Sequence, residues 1–326
     1  MTYGLPFAGR TDLVDLARPE PPTTEGNVMI RVGIVGTNTS HAGVYAGLIN
    51  GRDPSLSATL DARVVGVWSS GRTGLSGDHS DAGTLARQYR IDKVVSEPQE
   101  LIGLIDLVLI LDDFEGGALH AELAGPFLEA GIATYIDKPI TVSIDDALAL
   151  FGAAERSNAP LMSCSALRFS SQLARLRADA VGPLRLVSAV GPGDWFNYGV
   201  HTVESLVTLL GPGATSVQQF AGQGRDLTVI TGPDGPRAVV ATLRDAPTGF
   251  QLVAHGTAGS AQIEINDYDD FYGNTIRAAV AMAASGKAPI DAGETLEVLA
   301  ILVAGERSAQ SGHEVVLSDV LAGAAR

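Results

Sequence analysis

The chain has 326 residues, of which 45% are hydrophobic and 18% charged, and its formal net charge is −15. This length favours two globular domains, and the composition is not that of a disordered protein. The negative charge excludes the basic footprint that nucleic-acid and anionic-membrane binding require, and no apolar run approaches the ~20 residues of a membrane span. The single cysteine, Cys164, has no internal disulfide partner, which favours a cytoplasmic location.

The amino-terminal half alternates short apolar strands with helices. Residues 1–28 carry no clear period and are expected to form an N-terminal extension. The alternation over 29–165 predicts a doubly wound, mostly parallel α/β sheet of the Rossmann type. The predicted strands are 30–35, 63–68, 93–95, 105–111, 133–136 and 160–164, and the predicted helices are 42–50, 98–103, 120–130 and 145–157.

The junction after the first strand, Gly36-Thr37-Asn38-Thr39-Ser40-His41, partly matches a dinucleotide-binding fingerprint. The fingerprint has glycine at positions 36, 38 and 41, and only Gly36 is kept. Ser69 follows the second strand where an NAD-preferring site has a carboxylate, and nearby Arg72 suits a 2′-phosphate. These residues predict NADP in preference to NAD, and the alternative is that Arg72 is an ordinary loop arginine.

The strand 133–136 ends abruptly in Asp137, Lys138 and Pro139. The proline steers Lys138 into an extended backbone, so that its amine projects from the end of a strand. Because ligands of open α/β sheets bind at the carboxyl ends of the strands, Lys138 is a candidate for chemistry. The alternative is a solvent-exposed lysine without a role.

From residue 166 the pattern changes to strands separated by turns, which predicts a second, α+β domain over 166–326 with an open, mostly antiparallel sheet. Its predicted strands are 184–190, 216–221, 227–230, 237–243, 250–254, 261–265 and 313–317, and its helices 168–180, 199–210, 269–285 and 294–311. Helix 294–311 is apolar enough to pack across the first domain. Helix 199–210 has one apolar face, and four polar residues are expected on the opposite side: His201, Glu204, Ser205 and Thr208.

These features together resemble the Gfo/Idh/MocA family of oxidoreductases over residues 29 to 317. The resemblance is carried by the cofactor-type domain, by Asp137-Lys138-Pro139, and by the helix start Asn197-Tyr198-Gly199-Val200-His201-Thr202-Val203-Glu204. It implies bound NADP or NAD, a polyol- or sugar-like substrate between the domains, and a homodimer or homotetramer formed through the second sheet. The chain departs from the family at Asn38 and His41, which replace glycines, and at Asn197, where sugar-oxidising relatives carry aspartate.

The resemblance and the residues together predict a site. The catalytic candidates are Lys138, His201 and Asn197, and either Lys138 or His201 is the base that removes the substrate proton. Asn197 either orients His201 or caps the helix, and His41 either faces the cleft or is structural. The predicted substrate contacts are Arg168, Asn197, Tyr198 and His201. The predicted cofactor contacts are Gly36, Thr37, Asn38, Thr39, Ser40, His41, Ser69, Ser70, Arg72, Asp112, His120, Asp137 and Lys138.

The predicted function is an NAD(P)-dependent oxidoreductase that moves hydride between nicotinamide and a secondary alcohol or carbonyl of a sugar, cyclitol or related molecule. Two alternatives are a cofactor-retaining glycosidase or epimerase and a catalytically degenerate dinucleotide-binding protein. No thiolate cluster or paired-histidine spacing predicts a metal. Ser165 lacks the glycine-flanked elbow of a hydrolase nucleophile.

Overall fold

The computed structural model describes residues 29–51, 60–75, 81–178 and 181–323, so the expected extension over 1–28 lies outside the described residues. The first sheet has six strands in the order β3-β2-β1-β4-β5-β6, all paired in parallel. Its strands are β1 Ile30–Val35, β2 Ala62–Trp68, β3 Lys93–Val94, β4 Leu107–Ile110, β5 Ala133–Ile136 and β6 Leu161–Ser163. This is the doubly wound order of dinucleotide-binding domains, as predicted.

Helices cover both faces of this sheet because its central strands are apolar on both sides. All four residues of β4 and of β5 are buried. The helices are α1 Ser40–Asn50, α2 Ala82–Tyr89, α3 His120–Glu129 and α4 Ile144–Ser157, with short 3₁₀ turns at Pro98–Leu101 and Phe114–Gly116. Helix α2 was not predicted, because its eight residues carry few apolar positions.

The second sheet has seven strands in the order β12-β11-β7-β10-β9-β8-β13, and only the β7–β10 pair is parallel. Its strands are β7 Leu184–Pro192, β8 Ser216–Gly222, β9 Arg225–Gly232, β10 Gly235–Leu243, β11 Phe250–Gly256, β12 Ser260–Ile265 and β13 Val315–Val316. Alternating burial along β7 and β10 shows that one face is covered and the other is not. The predicted fold class, a Rossmann sheet followed by an open, mostly antiparallel sheet, is confirmed; the domain boundary at residue 165 stays a prediction.

The helices of the second half join the two sheets. They are α5 Ser171–Ala178, α6 Gly199–Leu210, α7 Tyr268–Ser285, α8 Ala292–Ser311 and α9 Leu317–Gly323. Helix α8 contacts β8, α6 and α4, so it does reach the first sheet's helices, as predicted. Helix α7 packs Ile276, Ala279 and Met282 into the core on the α1 face of the first sheet. None of the helices in the described part of the chain is long and apolar enough to cross a membrane.

Two predicted elements of the second half were wrong in detail. The helix 168–180 is a 3₁₀ turn at Ala166–Phe169 followed by α5, and the strand 313–317 is only Val315–Val316 followed by α9. The polar side of α6 does not face solvent, because Glu204, Ser205 and Thr208 are buried like the apolar side. The helix lies between its sheet, α8 and the Ala166–Phe169 turn, so no side of it is free.

Candidate active site

The carboxyl ends of β1, β4 and β5 form one edge, and the site is built there. The register aligns Val35 with Ile110 and Ile110 with Ile136, so Gly36, Leu111 and Asp137 follow side by side, and Asp112 lies one residue further on. Gly36 has φ of 99°, and a Cβ atom on it would lie 2.4 Å from the Asp112 nitrogen. The close approach of these two backbones therefore requires glycine at position 36.

The turn after Gly36 is buried, although the sequence predicts that it faces a cofactor. Asn38 is 1% exposed, and both ends of its amide have partners. Its Oδ1 accepts from the Asp113 nitrogen at 2.9 Å, and its Nδ2 donates to Asp112 Oδ2 at 3.2 Å. The Thr39 hydroxyl caps α1, accepting from the His41 nitrogen. Within Gly36–His41, Ser40 alone is exposed.

Residues 69–75, which we term the β2 segment, lie over this turn. The Ser70 hydroxyl donates to Asp112 Oδ2 at 2.9 Å, and the Leu75 nitrogen donates to the Asp113 carbonyl at 3.2 Å. Gly74 lies against the Asn38 carbonyl so closely that a Cβ atom would be 2.0 Å from that oxygen. The turn predicted to bind a cofactor is therefore covered by the chain itself.

Other predicted cofactor residues have internal partners at the same edge. The Thr37 hydroxyl donates to Ser69 Oγ at 2.7 Å, and the Arg72 guanidinium lies 4.6 Å from the Phe114 ring centroid. His120 is 1% exposed, and its ring nitrogens lie 2.9 Å from the Pro139 carbonyl and 2.8 Å from that of Asp112. His120 was predicted to bind cofactor, but its ring nitrogens contact carbonyl groups that follow β4 and β5 and so link the ends of these two strands.

Asp137 is buried and belongs to a network of side chains. His41 Nδ1 lies 2.5 Å from Asp137 Oδ2, and the Tyr135 hydroxyl donates to Asp137 Oδ1 at 3.3 Å. On the other side of the imidazole, His41 Nε2 lies 3.0 Å from the Tyr272 hydroxyl. Burial alone raises the pKa of Asp137, but the charges and hydrogen bonds of His41 and Lys138 outweigh it and hold that pKa below its ordinary value.

Lys138 is half-buried, and its bond to Pro139 is cis. It lines a small cavity together with Val200 and Glu204 of α6, and the other lining residues are Pro139, Ile140, Ser163, Cys164, Thr295, Val298 and Leu299. The end of β5 thus faces the helix that carries His201. The amine of Lys138 has no hydrogen bond or ion pair within the described residues.

His201 lies in the first turn of α6, and its ring is fixed by neutral groups. Its Nδ1 is 2.7 Å from Ser165 Oγ, and its ring packs 5.3 Å from Phe250 and 6.0 Å from Tyr198, centroid to centroid. Burial, followed by the charges of Lys138 and His41, holds the pKa of His201 well below its ordinary value. His201 is therefore a neutral imidazole in the working range of pH.

Asn197 does not orient His201 in this structure. Its amide donates to Asp194 Oδ1 at 3.1 Å and to Asp194 Oδ2 at 3.3 Å, and its Oδ1 lies against Gly116. It does not cap α6 either, because the residue at the cap position is Tyr198. The amide is instead held within its own turn by the neighbouring carboxylate.

Arg168 was predicted to face substrate, but the structure places it between two carboxylates. Its Nε donates to Glu204 at 2.5 Å and its Nη1 to Glu294 at 2.7 Å, and its side chain is 11% exposed. Among the described residues its Nη2 has no partner. Burial raises the pKa of Glu204 in spite of the adjacent guanidinium. The two ion pairs of Arg168 join the Ala166–Phe169 turn to α6 and α8. A buried guanidinium requires such paired negative charges.

The structure thus brings Lys138, His201, His41 and Asp137 together and leaves Arg168 and Asn197 turned elsewhere. Sequence reasoning missed Tyr272, which is 231 positions from His41, and the contact of Ser165 with His201. The pattern of α7 could identify Tyr272 only as a partly buried aromatic residue. Its contact with His41 depends on the packing of α7 against α1, which the sequence pattern does not predict.

Comparison with known proteins identifies the fold with a family. Residues 30–164 match the model of GFO_IDH_MocA, described as an oxidoreductase family with an NAD-binding Rossmann fold. Over these residues the chain matches the Gfo/Idh/MocA oxidoreductase family, as predicted.

Solved structures resemble this chain along nearly its whole length. The scyllo-inositol dehydrogenase of Lactobacillus casei, with bound NAD(H) and scyllo-inositol, has a TM-score of 0.74 at 13% identity, covering 89% of this chain and 99% of that chain. The myo-inositol dehydrogenase of the same organism, in complex with NAD(H) and myo-inositol, has a TM-score of 0.74 at 15% identity, covering 88% and 96%. At these identities the likeness is one of fold.

Two curated relatives match in sequence. One, from Amycolatopsis mediterranei (strain S699), carries the provisional name UDP-kanosamine synthase oxidoreductase subunit; it is 30% identical over 171 residues, or 44% of this chain. The chain spans about half of that relative's length, 47%. The other is the uncharacterized oxidoreductase YdgJ of Escherichia coli (strain K12), 24% identical over 272 residues, covering 71% of this chain and 70% of the relative.

The low pKa of His201 predicts a pH dependence of stability. As the pH falls below 6.5, the ordinary value for histidine, the unfolded chain binds a proton at this imidazole and the folded chain does not. The free energy of unfolding therefore falls by up to ~1.4 kcal/mol per pH unit from this residue. Urea unfolding between pH 7.5 and 5.5 should show a smaller decrease for His201→Asn than for the wild type. The exposed control His313→Asn should keep the wild-type slope, and equal slopes for both variants contradict the assignment.

Proposed function

We propose that the chain is an NAD(P)-dependent oxidoreductase acting on a secondary alcohol or carbonyl of a sugar, cyclitol or related small polar molecule. The observation that carries this proposal is the cavity shared by Lys138 and helix α6, because it faces the lysine towards the helix of His201. The charges of Lys138 and His41 also both lower the pKa of His201. The solved relatives that bind inositols together with NAD(H) support this substrate class.

The residues at the edge of the first sheet fit a dinucleotide once the β2 segment has moved aside. Gly36 permits the close approach of β1 to Asp112, and the first turn of α1 offers backbone N–H groups beside the exposed Ser40. Ser69 and Arg72 are the proposed ribose and 2′-phosphate contacts. When bound, the nicotinamide supplies the hydride acceptor or donor.

The remaining chemistry falls to the chain's own residues. The amine of Lys138 stands at the end of a rigid strand, without an internal partner in the described residues, so it is placed to hydrogen-bond the reacting oxygen of a substrate. A cation held there stabilises the negative charge that develops on that oxygen when its proton leaves. His201 is neutral and held by Ser165, so it offers a positioned hydrogen-bond partner to a neighbouring hydroxyl.

A second candidate is favoured by one observation. Asn38 is buried and both ends of its amide are satisfied by the chain, as in a degenerate protein that no longer takes up a dinucleotide. Direct titration with NADH and NADPH, followed by fluorescence, separates the two functions. Binding of either nucleotide supports the enzyme, and binding of neither supports the degenerate protein.

Lys138 is the residue whose loss should affect turnover most directly. We expect Lys138→Ala to lower kcat by ~10²- to 10⁴-fold and to leave the dissociation constant of the dinucleotide within a few-fold. The reason is that its interaction with the reacting oxygen is strongest in the transition state. Steady-state assays with myo-inositol, scyllo-inositol and glucose measure the first effect, and fluorescence titration the second. Lys93→Ala, at an exposed lysine of β3, is the control; an unchanged kcat in Lys138→Ala refutes the proposed role.

The end of β2 should decide the choice of cofactor. Ser69 follows the strand without a carboxylate, and Arg72 is an exposed cation, so we propose that NADPH binds more tightly than NADH. Arg72→Ala should weaken NADPH more than NADH, and the exposed Arg87→Ala should weaken neither. A wild-type preference for NADH of tenfold, ~1.4 kcal/mol, contradicts this proposal.

The uncovered face of the second sheet should mediate assembly. It carries exposed apolar side chains on the paired strands β8 and β9, where Phe220 is 54% exposed and Leu227 44% exposed. Because soluble monomers rarely expose such a patch, we propose a homodimer or homotetramer formed through this face. Light scattering at micromolar concentration should show an oligomer for the wild type and for Val94→Asp, an exposed position on β3, but a monomer for Leu227→Asp. A monomeric wild type refutes the proposed assembly.

A further inference from the structure

Three side chains from three distant parts of the chain form a continuous hydrogen-bonded line. Asp137 follows β5, His41 lies in the first turn of α1, and Tyr272 lies in the second turn of α7. Asp137 Oδ2 is 2.5 Å from His41 Nδ1, and His41 Nε2 is 3.0 Å from the Tyr272 hydroxyl. His41 and Asp137 are 9% and 6% exposed, so both contacts are shielded from water.

The chemistry of the partners fixes the direction of these hydrogen bonds. An ionised carboxylate only accepts, so when His41 carries a single proton, that proton resides on Nδ1 and points to Asp137. Nε2 then presents its lone pair to Tyr272, whose hydroxyl donates. A hydroxyl bonded to an imidazole that a carboxylate orients is the arrangement by which proteins remove a proton from a weakly acidic group. Here that group is a phenol.

The surroundings of Asp137 keep it in the ionised state that this arrangement needs. Its carboxylate accepts from His41, from the Tyr135 hydroxyl and from the backbone of Lys138. When His41 takes up a second proton, the resulting imidazolium lies directly against this negative charge. A charged pair formed in a buried site is stabilised by the low local dielectric.

His201 lacks this support. Its Nδ1 partner is the neutral Ser165, and Asn197, at the position where sugar-oxidising relatives carry aspartate, is held by Asp194. A proton added to His201 would lie near the positive Lys138, which disfavours it. The imidazole that a carboxylate orients is therefore His41, in the turn of the first domain, and not the one on α6.

Asp137, at one end of this line, directly precedes Lys138 of the proposed site, and Tyr272 forms the other end. Its ring packs 5.3 Å from that of His41, and it lies within electrostatic range of Tyr198, the neighbour of His201. Burial, followed by Asp137, raises the pKa of Tyr272, so its proton does not leave to solvent unaided. Transfer to His41 provides the route that solvent does not.

We propose that Tyr272 is a catalytic acid–base residue of the oxidoreductase and that His41 and Asp137 are the positioning residues that exchange its proton. This inference rests on the proposed function. In alcohol oxidation the substrate O–H bond breaks and its proton joins the Tyr272 oxygen, while the former Tyr272 proton forms a new bond to His41 Nε2. The two electrons of the carbon–hydrogen bond leave with its hydrogen as hydride to the oxidant, NAD(P)⁺, and the carbon–oxygen double bond forms. Reduction reverses each transfer.

The first test reads the hydrogen bonds without any substrate or cofactor. NMR of the protein with isotope-labelled histidines should show His41 as the Nδ1–H tautomer, with a strongly downfield Nδ1 proton that Asp137→Asn removes. Tyr272→Phe should change the Nε2 signal and keep the tautomer. Tyr268→Phe, one turn before on α7 and 60% exposed, should leave both unchanged. An Nε2–H tautomer of His41 in the wild type overturns the proposal.

The second test reads the proton transfer. With the cyclitol or hexose that the wild type oxidises fastest among myo-inositol, scyllo-inositol and glucose, Tyr272→Phe should lower kcat by ~10²-fold or more. Its dinucleotide affinity should stay within a few-fold, because the ring and its packing are kept. The pH profile of kcat should also change, because the hydroxyl that exchanges the substrate proton is removed. Tyr268→Phe should keep both the rate and the pH profile.

The outcomes separate the two proposals. A wild-type rate and pH profile in Tyr272→Phe overturns the catalytic role of Tyr272 and leaves the oxidoreductase proposal standing. Failure of the wild type to bind NADH or NADPH overturns the oxidoreductase proposal, and with it the role of Tyr272 in hydride transfer, whatever the tautomer. If Asp137→Asn does not fold, the comparison of Tyr272→Phe with Tyr268→Phe still decides.

Discussion

The buried carboxylate of Asp137 is the constraint on which the centre of the molecule depends. A charge taken out of water is costly unless hydrogen-bonded and paired partners surround it. Here those partners come from α1 through His41, from β5 through Tyr135 and from the strand end through the backbone of Lys138. The hydrogen bonds of the Asp137 carboxylate therefore hold α1, β5 and the backbone of Lys138 in place relative to one another.

The parallel sheet explains why these groups meet at all. Strands β1, β4 and β5 end on the same edge, so each contributes its first non-strand residue to one small region. Two helices of the second half of the chain also lie at this region. Helix α6 faces Lys138, and α7 packs on α1. The site thus belongs to neither sheet alone. Chemistry-bearing residues lie on rigid strand ends and helix starts, which hold a geometry better than loops do.

Much of the fold could be predicted from the sequence, because apolar periodicity reports local geometry. Helix α6 was predicted over 199–210 and is observed there, since Gly211 and the residues after it end it sharply. The same pattern could not show that Glu204 is buried, because that depends on an arginine 36 positions away in the preceding 3₁₀ turn. Lys138 lines a cavity with residues of the helix that carries His201, and the catalytic roles of both stay a prediction. The partners of His41 were not, because Tyr272 reaches it only through the packing of two helices.

The β2 segment occupies the proposed nucleotide site and would compete with a nucleotide for it. Ser70 and Leu75 donate hydrogen bonds to Asp112 and Asp113, and a nucleotide bound in the proposed site would have to replace them. The measured free energy of nucleotide binding is then the free energy of the nucleotide's own contacts minus that of the internal hydrogen bonds it replaces. The apparent affinity is therefore weaker than the nucleotide's own contacts would give. Substitutions that only weaken the internal set should read out as gains in affinity although they touch no ligand. Under the proposed function, substitutions at Arg72 and its neighbours would change both the preference between nucleotides and the access of a nucleotide to its site.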